Sequence, residues 1–430
     1  MVFSSTVFLF VFLPVTLILY YIAKQEYQNL ILLAASLVFY AIGEPRMIWI
    51  MLLSVVCNYY FALGIEKYGC RKILLAASIF YNLGILFVFK YFSFAIRILN
   101  LVAKQKIPVL EIMLPVGISF YTFQSVSYVI DVYRGTVHAQ RNLLHLALYT
   151  ALFPQLVAGP IVRYHEIAAQ IQSRTLSLEG FGAGAKRFLW GFNKKVILAN
   201  HLAVVADHYF TGHPAEHSVL GVWIGSVCFS LQIYYDFSAY SDMAIGLGSM
   251  FGFVFEENFK SPYLAASVTD FWRRWHISLS AWFRDYVYIP LGGSRVSVSR
   301  HIWNLAVVWI LTGIWHGAAF SFVAWGFLYF AALVMEKYIV RPEQRSSRAF
   351  AVVYRAGVLL FIHFAWVIFR ADGLKAGIRY CLAMFGRYGE GRWYDAQAIR
   401  MLREYGVFLL LAVFFCMPFS GRGGICKTDR

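Results

Sequence analysis

The sequence predicts an all-α polytopic membrane protein with about eleven transmembrane or re-entrant helices. Of its 430 residues, 60% are hydrophobic and only 14% are charged. A soluble domain typically carries about 25% charged residues, so this chain has too little charge to cover a surface in water. Its apolar residues form nearly continuous runs, as in 8–21 and 30–42, whereas an outer-membrane barrel would alternate apolar and polar residues.

Apolar runs recur along the whole chain, and a helix needs about 20 mostly apolar residues to cross the hydrocarbon core. The candidate runs are 3–23, 30–42, 47–65, 73–92, 112–130, 143–157, 188–205, 219–235, 302–315, 318–335, 352–369 and 405–417. Several are shorter than a full span, which favours re-entrant or half-buried helices covered by protein or lining a cavity. We therefore expect a single integral membrane domain over 1–430, with an interfacial segment at 256–300.

The formal net charge is +16, from 38 Lys and Arg against 22 Asp and Glu. Basic residues in cytoplasmic loops set the orientation of membrane proteins. Lys and Arg follow the first and third apolar runs and recur in 256–300, whereas the segment 207–218 has none. We therefore expect an external N-terminus, an external 207–218 loop and a cytoplasmic 256–300 segment. Anionic lipid headgroups are the second explanation of the excess. Nucleic acid binding is disfavoured, because the basic residues lie in short loops without a known nucleic-acid motif.

The cysteines and the N-terminus carry no further signal. The 6 cysteines are scattered and imply neither a disulfide framework nor a zinc site. The first apolar run follows no basic region and precedes no small-residue cleavage site, which favours a retained first span over a signal peptide.

The segment 256–300 departs furthest from apolar character. Its sequence VTDFWRRWHISLSAWFRDYVYIPLGG mixes aromatic and basic residues at helical spacing. A single helix would place these residues near one face: Trp272, Trp275, His276, Leu279 and Phe283. Arg273, Arg274 and Arg284 would then point elsewhere, as in a helix that lies in the membrane interface.

His316 is the first candidate for chemistry, because an ionisable side chain inside a membrane is costly. It ends the run HIWNLAVVWILTGIWHG, and fifteen residues of helix from a surface His301 would carry it about 22 Å inward. We expect Gly313 and Gly317, which flank it, to leave room for a substrate. The alternative is a core histidine bonded to a backbone carbonyl.

His276 is the second candidate, with a structural histidine at the interface as its alternative. Asp236 and Asp242 lie in YYDFSAYSDMAIGLG. A carboxylate there would orient a histidine or a helix end, or would cap a helix that begins after Ser241. We favour a structural role for these two carboxylates from the residues alone.

The other histidines are weaker candidates. Three of them crowd the segment 207–218 without a Cys or a fixed carboxylate, so a solvated loop is favoured over a metal site. His363 is expected to be packed, with its hydrogen bonds satisfied. The chain also lacks the P-loop, nucleophile-elbow and zinc-protease motifs, which disfavours an ATPase, a serine hydrolase and a zinc protease.

Longer motifs point to a family. They occur in the order MVFSSTVFLFVFLP, LPVGISFYTFQSVSYVIDVYRG, FPQLVAGPIVR, YYDFSAYSDMAIGLG, FWRRWHISLSAWFRDYVYIPLGG, LTGIWHGA and WVIFRA, from residue 1 to about 371. Together they resemble the membrane-bound O-acyltransferase family, and within it the alginate O-acetyltransferase branch. Beyond that point the likeness is loose, and the end of the chain is expected to be short or divergent.

The resemblance implies a ring of tilted helices around a thinned centre, with a tunnel from the cytoplasmic face to an external funnel. It also implies that His316 is the family's near-invariant histidine and His276 its second histidine. Asp236 matches the acidic position of the family's Asp-Phe-Ser segment.

The implied activity is O-acyl transfer, of an acetyl group from a cytoplasmic thioester toward a polysaccharide outside a bacterial inner membrane. His316 would take the hydroxyl proton as a base, or briefly accept the acyl group, because imidazole titrates near operating pH. His276 or Asp236 would orient the donor or the base.

Expected ligands and partners follow from this activity. The donor would be acetyl-coenzyme A or an acyl-carrier thioester, with Arg273, Arg274 and Arg284 binding its phosphates or an acidic carrier protein. Positive-inside charge explains the same arginines. No tightly bound cofactor and no metal is expected. The expected partners are membrane lipids, a polysaccharide acceptor, an external SGNH-type acetyltransferase and an acyl carrier protein.

Two other functions stay open. One is D-alanyl transfer to teichoic acid, by a relative that shares the histidine motifs. The other is transport of a lipid-linked glycan, which would be expected to show an internal repeat or several charges within its spans.

Overall fold

A computed structural model describes residues 1–104, 106–110, 112–157, 159–345, 347–388 and 391–416. These residues form helices and connecting segments without a β-strand, which confirms the all-α class. Six helices within the described ranges are long and apolar enough to cross a membrane: Gln25–Gly43, Ile48–Lys67, Arg71–Ala103, Val219–Met250, Phe320–Gln344 and Arg348–Arg370. The chain divides into two compact units, Met1–Phe192 with Tyr240–Glu257 and Asn193–Ala239 with Asn258–Arg430.

The first unit holds the N-terminal helices. These are α1 (Leu13–Ile22), α2 (Gln25–Gly43), α3 (Ile48–Lys67), α4 (Arg71–Leu86), α5 (Phe92–Ala103), α6 (Ile118–Arg134), α7 (Leu143–Ala151), α8 (Phe153–Leu156), α9 (Tyr164–Gln172) and α10 (Leu178–Asn193). Short π-helical turns precede α1 at Phe8–Phe12 and join α4 to α5 at Phe87–Tyr91.

The second unit holds the later helices. These are α11 (Asn200–Phe210), α12 (Val219–Met250) as far as Ala239, α13 (Val268–Arg274), α14 (Ile277–Phe283), α15 (Val298–His316), α16 (Phe320–Met335), α17 (Arg348–Arg370), α18 (Leu374–Ala383) and α19 (Ala396–Cys416). Short π-helical turns lie at Lys194–Ala199, Arg284–Tyr288 and Glu336–Val340.

Most apolar runs become helices, but the runs 143–157 and 219–235 differ from the prediction in extent, and the run 112–130 is helical only from Ile118. The run 143–157 is broken at Leu152, which leaves the helical region with ψ 111°. Pro154 then lies in the first turn of α8, where its missing N–H costs no helical bond. The run 219–235 continues as helix to Met250, well beyond its last apolar residue. The end of the last run, at Met417, lies outside the described residues.

The length of α12 excludes one of the roles considered for Asp242, that of a helix cap, and leaves the favoured structural role. No helix begins after Ser241, because both residues lie inside α12. Asp242 instead pairs with Arg187 of α10, whose Nε is 2.7 Å from Asp242 Oδ1 and whose Nη1 is 2.8 Å from Glu257 Oε1. Its carboxylate therefore neutralises an arginine that packs against it.

The interfacial segment is not the single helix that its spacing predicts. Helix α13 ends at Arg274 and α14 begins at Ile277. Between them His276 has φ 45° and ψ 55°, a left-handed conformation that a residue with a Cβ rarely adopts. The residues predicted to share one face are nevertheless all buried: Trp272, Trp275, His276, Leu279 and Phe283. The predicted buried face is therefore confirmed, whereas the predicted single helix is wrong.

Helices α15 and α16 approach each other through two glycines. A Cβ on Gly313 would lie 2.3 Å from the carbonyl oxygen of Phe322, and one on Gly326 would lie 2.3 Å from that of Trp309. A Cβ on Gly317 would lie 2.2 Å from the Phe322 ring. The space beside Gly313 and Gly317 therefore holds α16, not a substrate, and the role predicted for these glycines was wrong.

Paired asparagines join α3 and α4 inside the first unit. Asn58 Nδ2 donates to Asn82 Oδ1 at 3.0 Å, and Asn82 Nδ2 donates to Asn58 Oδ1 at 2.7 Å. Both side chains are buried, and Ser54 and Ser78 add hydrogen bonds at the same level. This reciprocal pair satisfies polar groups that would otherwise be expensive in an apolar region.

The glycine contact predicts the effect of a small substitution. Gly326→Ala should destabilise the protein by about 1–3 kcal/mol, because the added Cβ has only a backbone carbonyl to displace. The matched control is Gly357→Ala in α17, where a Cβ meets no atom within 4 Å. Thermal unfolding in detergent should show a lower Tm for the first variant and an unchanged or higher Tm for the second. Equal Tm values would contradict the helix contact.

Candidate functional site

His316 ends α15 and lies among three aromatic rings. Its ring centroid is 5.0 Å from that of Trp315, 5.0 Å from that of Trp325 and 5.2 Å from that of Phe369. Trp325 belongs to α16, and Phe369 lies in the last turn of α17. The imidazole is half-buried. The rings around it come from α15, α16 and α17, which belong to the same unit.

His276 lies close to His316. Only 1% of it is exposed, and its ring is 4.6 Å from Phe237 and 6.0 Å from Trp315 between centroids. Because His316 also packs on Trp315, the two histidines that the sequence singled out share one aromatic neighbour. The charge of His316 acts on His276, which places the two imidazoles within electrostatic reach of each other.

The protonation state of His276 follows from its surroundings. It lies outside the six candidate spans, and burial, together with the nearby His316, lowers the pKa of its imidazole well below the usual value. Its Nδ1 is 3.2 Å from Asn258 Oδ1, and its Nε2 has no hydrogen-bond partner within the part of the chain that the structure describes. The ring is therefore neutral near pH 7, and its Nε2 makes no hydrogen bond to the described residues.

Asp236 is held by other partners. Its Oδ1 is 2.6 Å from Lys195 Nζ, and its Oδ2 accepts a hydrogen bond of 3.3 Å from Gln232. The Asp236 side chain is 38% exposed, so this ion pair is partly hydrated. Neither contact involves a histidine, and the role of Asp236 in the chemistry stays a prediction.

The three arginines of the segment have different surroundings. Arg273 is exposed, and Arg284 is 60% exposed and pairs with its neighbour Asp285 at 2.7 Å. Arg274 Nε lies 2.8 Å from Asp270 Oδ1, within the same helix. Arg273 and Arg284 are therefore accessible to a ligand from solution, whereas Arg274 is partly neutralised.

Two further histidines are placed differently from the prediction. His301, expected at the surface, is 2% exposed and is hydrogen-bonded through Nε2 to Tyr288 Oη at 2.7 Å and through Nδ1 to Tyr338 Oη at 2.5 Å. His363 has Nδ1 2.9 Å from Ser230 Oγ, while its Nε2 is buried without a partner among the described residues. The prediction that His363 has all its hydrogen bonds satisfied was therefore wrong.

Glu336 is a buried acid that the sequence did not single out. It is 4% exposed, and its carboxylate accepts hydrogen bonds from Val268 N at 2.7 Å, from Thr269 N at 2.9 Å and from Tyr354 Oη at 2.7 Å. It thus anchors the beginning of α13, the helix that leads to His276. An acidic residue at the end of an apolar run is typical of a helix terminus. The sequence therefore contains no local signal that Glu336 binds the beginning of α13.

A hydrophobic cluster supports the anchored helix. Trp272 of α13 lies 4.7 Å from Trp309, 5.7 Å from Trp325 and 4.9 Å from Tyr329 between ring centroids. Trp325 also contacts His316, so α13, α15 and α16 meet in one aromatic layer beside the two histidines. This packing, through Trp325, holds the imidazole of His316 in place.

The arrangement suits proton transfer. A neutral imidazole can accept a proton from a hydroxyl group, most effectively when its pKa lies near the operating pH, and aromatic walls limit competing water. Within the described residues no cluster of three metal-binding side chains is found. The described site therefore consists of two imidazoles, aromatic walls and nearby polar anchors.

Comparison with known proteins identifies the sequence family. The profile of the membrane-bound O-acyltransferase family matches residues 138–374, the part that contains both histidines. The chain is 42% identical to a protein named probable alginate O-acetylase from Pseudomonas putida, over 100% of this chain and 89% of that protein. It is 34% identical to a peptidoglycan O-acetyltransferase of Helicobacter pylori, over 90% of this chain and 80% of that protein.

A more distant similarity involves a different acyl group. A teichoic acid D-alanyltransferase of Bacillus subtilis is 29% identical over 59% of this chain and 68% of that protein. Identity and coverage are therefore both higher for the two relatives that are named for O-acetyl transfer.

The anchor at α13 gives a stability prediction. Glu336→Ala should destabilise the protein by about 2–5 kcal/mol, because two backbone N–H groups and a tyrosine hydroxyl lose their acceptor in a buried position. Glu343→Ala, at an exposed site nearby in the sequence, is the control. Thermal unfolding in lipid nanodiscs should separate the two variants clearly. A Tm for Glu336→Ala equal to that of the control would show that Glu336 is not an anchor.

Proposed function

Because the chain is a member of the membrane-bound O-acyltransferase family and thus an O-acyltransferase, we propose that it moves an acetyl group from a cytoplasmic thioester across the membrane for O-acetylation of a polysaccharide on the other side. The observation that carries this proposal is the pair of neighbouring histidines, His276 and His316, against one tryptophan. Acyl transfer to a hydroxyl group needs a base in a site sheltered from water, and this pair supplies imidazoles in such surroundings.

His316 is the proposed base. As the acceptor hydroxyl oxygen attacks the thioester carbonyl carbon, the imidazole takes the hydroxyl proton. The new C–O bond forms, the C–S bond breaks, and the thiolate leaves and is protonated from the imidazolium. In the alternative route the imidazole attacks the thioester carbonyl, the C–S bond breaks and the thiolate leaves. The hydroxyl oxygen then attacks the acetyl-imidazole, the C–N bond breaks, and the hydroxyl proton passes to the thiolate. Both routes need His316 neutral at the start.

His276 and Asp236 are proposed as supporting residues. His276 is close enough to His316 for their charges to interact, so a neutral His276 favours the protonated form of its neighbour during the reaction. Asp236 forms an ion pair with Lys195 in the same unit, and we assign it to orienting the donor or the base through that pair.

The donor end is proposed at the basic segment. Arg273 and Arg284 are exposed enough to bind the phosphates of coenzyme A, or an acidic acyl carrier protein, by charge-assisted hydrogen bonds. Arg274 would contribute less, because Asp270 already pairs with it. No part of this interaction requires a tightly bound cofactor.

The setting of the reaction is also a proposal. We place the protein in a bacterial inner membrane, with the donor on the cytoplasmic side and the polysaccharide on the other side. An external SGNH-type acetyltransferase would complete the transfer to the polymer. The tunnel implied by the family resemblance would join the two sides.

D-alanyl transfer is the second candidate function, because a teichoic acid D-alanyltransferase is among the relatives. The higher identity of the two O-acetyl transfer relatives favours acetate. Mass spectrometry of cell-surface polysaccharide, with and without this gene, separates the two candidates. Loss of O-acetyl groups on deletion supports the proposal, and loss of D-alanine esters with acetylation intact would overturn it.

Replacement of the proposed base should abolish transfer. We expect His316→Ala and His316→Gln to lower polysaccharide O-acetylation by about 100-fold or more, since a general base contributes about 10²–10⁴ to the rate. The control is His138→Ala, at a fully exposed histidine whose side chain is 100% accessible. Acetyl content is measured in deletion strains that carry each variant, after membrane insertion and folding are verified. Acetylation by a folded His316→Ala protein would refute the assignment.

The donor proposal predicts a change in KM. Arg273→Gln should raise the KM for the thioester about threefold to tenfold, with kcat nearly unchanged, because it removes a charge-assisted contact made before the chemical step. Arg355→Gln, at an exposed arginine of α17, is the matched control. Purified protein in nanodiscs is assayed with acetyl-coenzyme A and with an acetylated carrier protein. Unchanged KM values for both donors would remove Arg273 from the donor site.

A further inference from the structure

We propose that Asn258 is a positioning residue that fixes the tautomer of His276, so that Nδ1 carries the proton and Nε2 presents its lone pair to the reaction. This inference rests on the proposed function of the two histidines and adds to it a specific role for a residue outside the family motifs discussed above. It concerns which nitrogen of His276 acts, and what holds that nitrogen in place.

The hydrogen bonds of Asn258 identify its side-chain oxygen. Oδ1 accepts a hydrogen bond from the backbone N–H of Ser278 at 3.1 Å and another from the Ser278 hydroxyl at 2.9 Å. A backbone N–H is always a donor, so the atom facing it must be the oxygen and not the amide nitrogen. Asn258 itself is fully buried, with 0% exposed, so no alternative orientation toward solvent competes.

The identity of this oxygen decides the tautomer of His276. The imidazole Nδ1 lies 3.2 Å from the same Oδ1. Since an amide oxygen can only accept, Nδ1 must donate, and in a neutral ring the other nitrogen then carries the lone pair. That nitrogen, Nε2, is buried and has no hydrogen-bond partner within the described ranges. A buried acceptor without a protein partner is suited to a proton or hydrogen bond that arrives with the reaction.

Asn258 also holds the backbone at the histidine. Its carbonyl oxygen accepts the N–H of Ile277 at 3.0 Å, so Asn258 bonds to each of the three consecutive residues 276, 277 and 278. His276 has φ 45°, a left-handed conformation that is strained for a residue with a Cβ and persists only when its surroundings impose it. The clamp by Asn258 supplies such surroundings, and it aims the ring from the junction of α13 and α14.

The side chains around His276 leave few groups that can titrate with it. His316 is the titratable neighbour that acts on it, and the rings of Phe237, Phe259 and Trp315 are the aromatic contacts found among the described residues. Nδ1 also lies 3.5 Å from Ser278 Oγ, which does not titrate in this range. A negative charge at position 258 would therefore act directly on the imidazole.

The test uses Asn258→Asp, which keeps an acceptor at the same place and adds a charge beside Nδ1–H. An opposite charge at this distance favours the imidazolium form, so the acidic limb of the pH–rate profile should move to higher pH by about one unit or more. The rate of labelled acetyl incorporation is measured from pH 5 to 9 in permeabilised polysaccharide-producing cells supplied with acetyl-coenzyme A. Permeabilised cells keep their cytosolic enzymes. If an acyl carrier protein is the direct donor, these enzymes can load it with acetyl groups from acetyl-coenzyme A.

Two control variants complete the design. Asn258→Leu removes the acceptor and should lower the rate about tenfold or more. Ser278→Ala removes one donor to Oδ1 and leaves the bond to Nδ1, so its profile should keep the wild-type midpoint. Thermal unfolding of each variant in nanodiscs separates loss of fold from loss of positioning, and Asn258→Asp remains informative if Asn258→Leu does not fold.

The outcomes separate this inference from the proposed function. A profile of Asn258→Asp that coincides with wild type after scaling, while His276→Ala is inactive, would overturn the role of Asn258 and leave that of His276 intact. A folded His276→Ala protein with the wild-type rate would overturn the role of His276 itself. A shifted acidic limb together with an inactive His276→Ala supports both.

Discussion

The close approach of α15 and α16 is the contact on which the candidate site depends. Backbone carbonyls of Phe322 and Trp309 lie where the Cβ atoms of Gly313 and Gly326 would be, so the two helices pack at backbone distance. His316 follows Gly313 by three residues, and Trp325, next to Gly326, packs against its ring. Any widening of this contact would move the imidazole away from the Trp325 ring.

The aromatic layer gives this geometry a chemical consequence. Trp272 packs against Trp309 and Trp325, Trp325 covers the His316 ring, and Glu336 anchors the helix that carries Trp272. Burial of His276 against Phe237 and Trp315 disfavours its charged form and, together with the nearby His316, lowers the pKa of its imidazole. A membrane protein that moves an acyl group needs neutral bases and few competing water molecules, and this packing provides for both.

The sequence predicted the class of fold and the two histidines because both depend on local or regional composition. Apolar runs mark buried helices directly, and an ionisable residue such as His316 at the end of an apolar run is unusual wherever it packs. The proximity of His276 to His316 required the structure, since forty residues separate them in the chain.

The errors arose where distant residues decide the local structure. No Gly or Pro marks the break at His276, because Asn258, eighteen residues earlier in the chain, holds the left-handed conformation. His301 was expected at the surface because it begins an apolar run, yet it is buried and hydrogen-bonded to two tyrosines, Tyr288 and Tyr338. Gly317 was assigned to a substrate because the approach of Phe322 is not visible in the sequence.

The central claim is that His276 and His316 act as one unit, and a double-mutant cycle on the transfer rate tests it most directly. His276→Ala, His316→Ala and the double variant are compared with wild type, with folding verified for each. If the two imidazoles serve the same step, the double variant should be no slower than the slower single variant. Rate losses that multiply independently in the double variant would contradict this account.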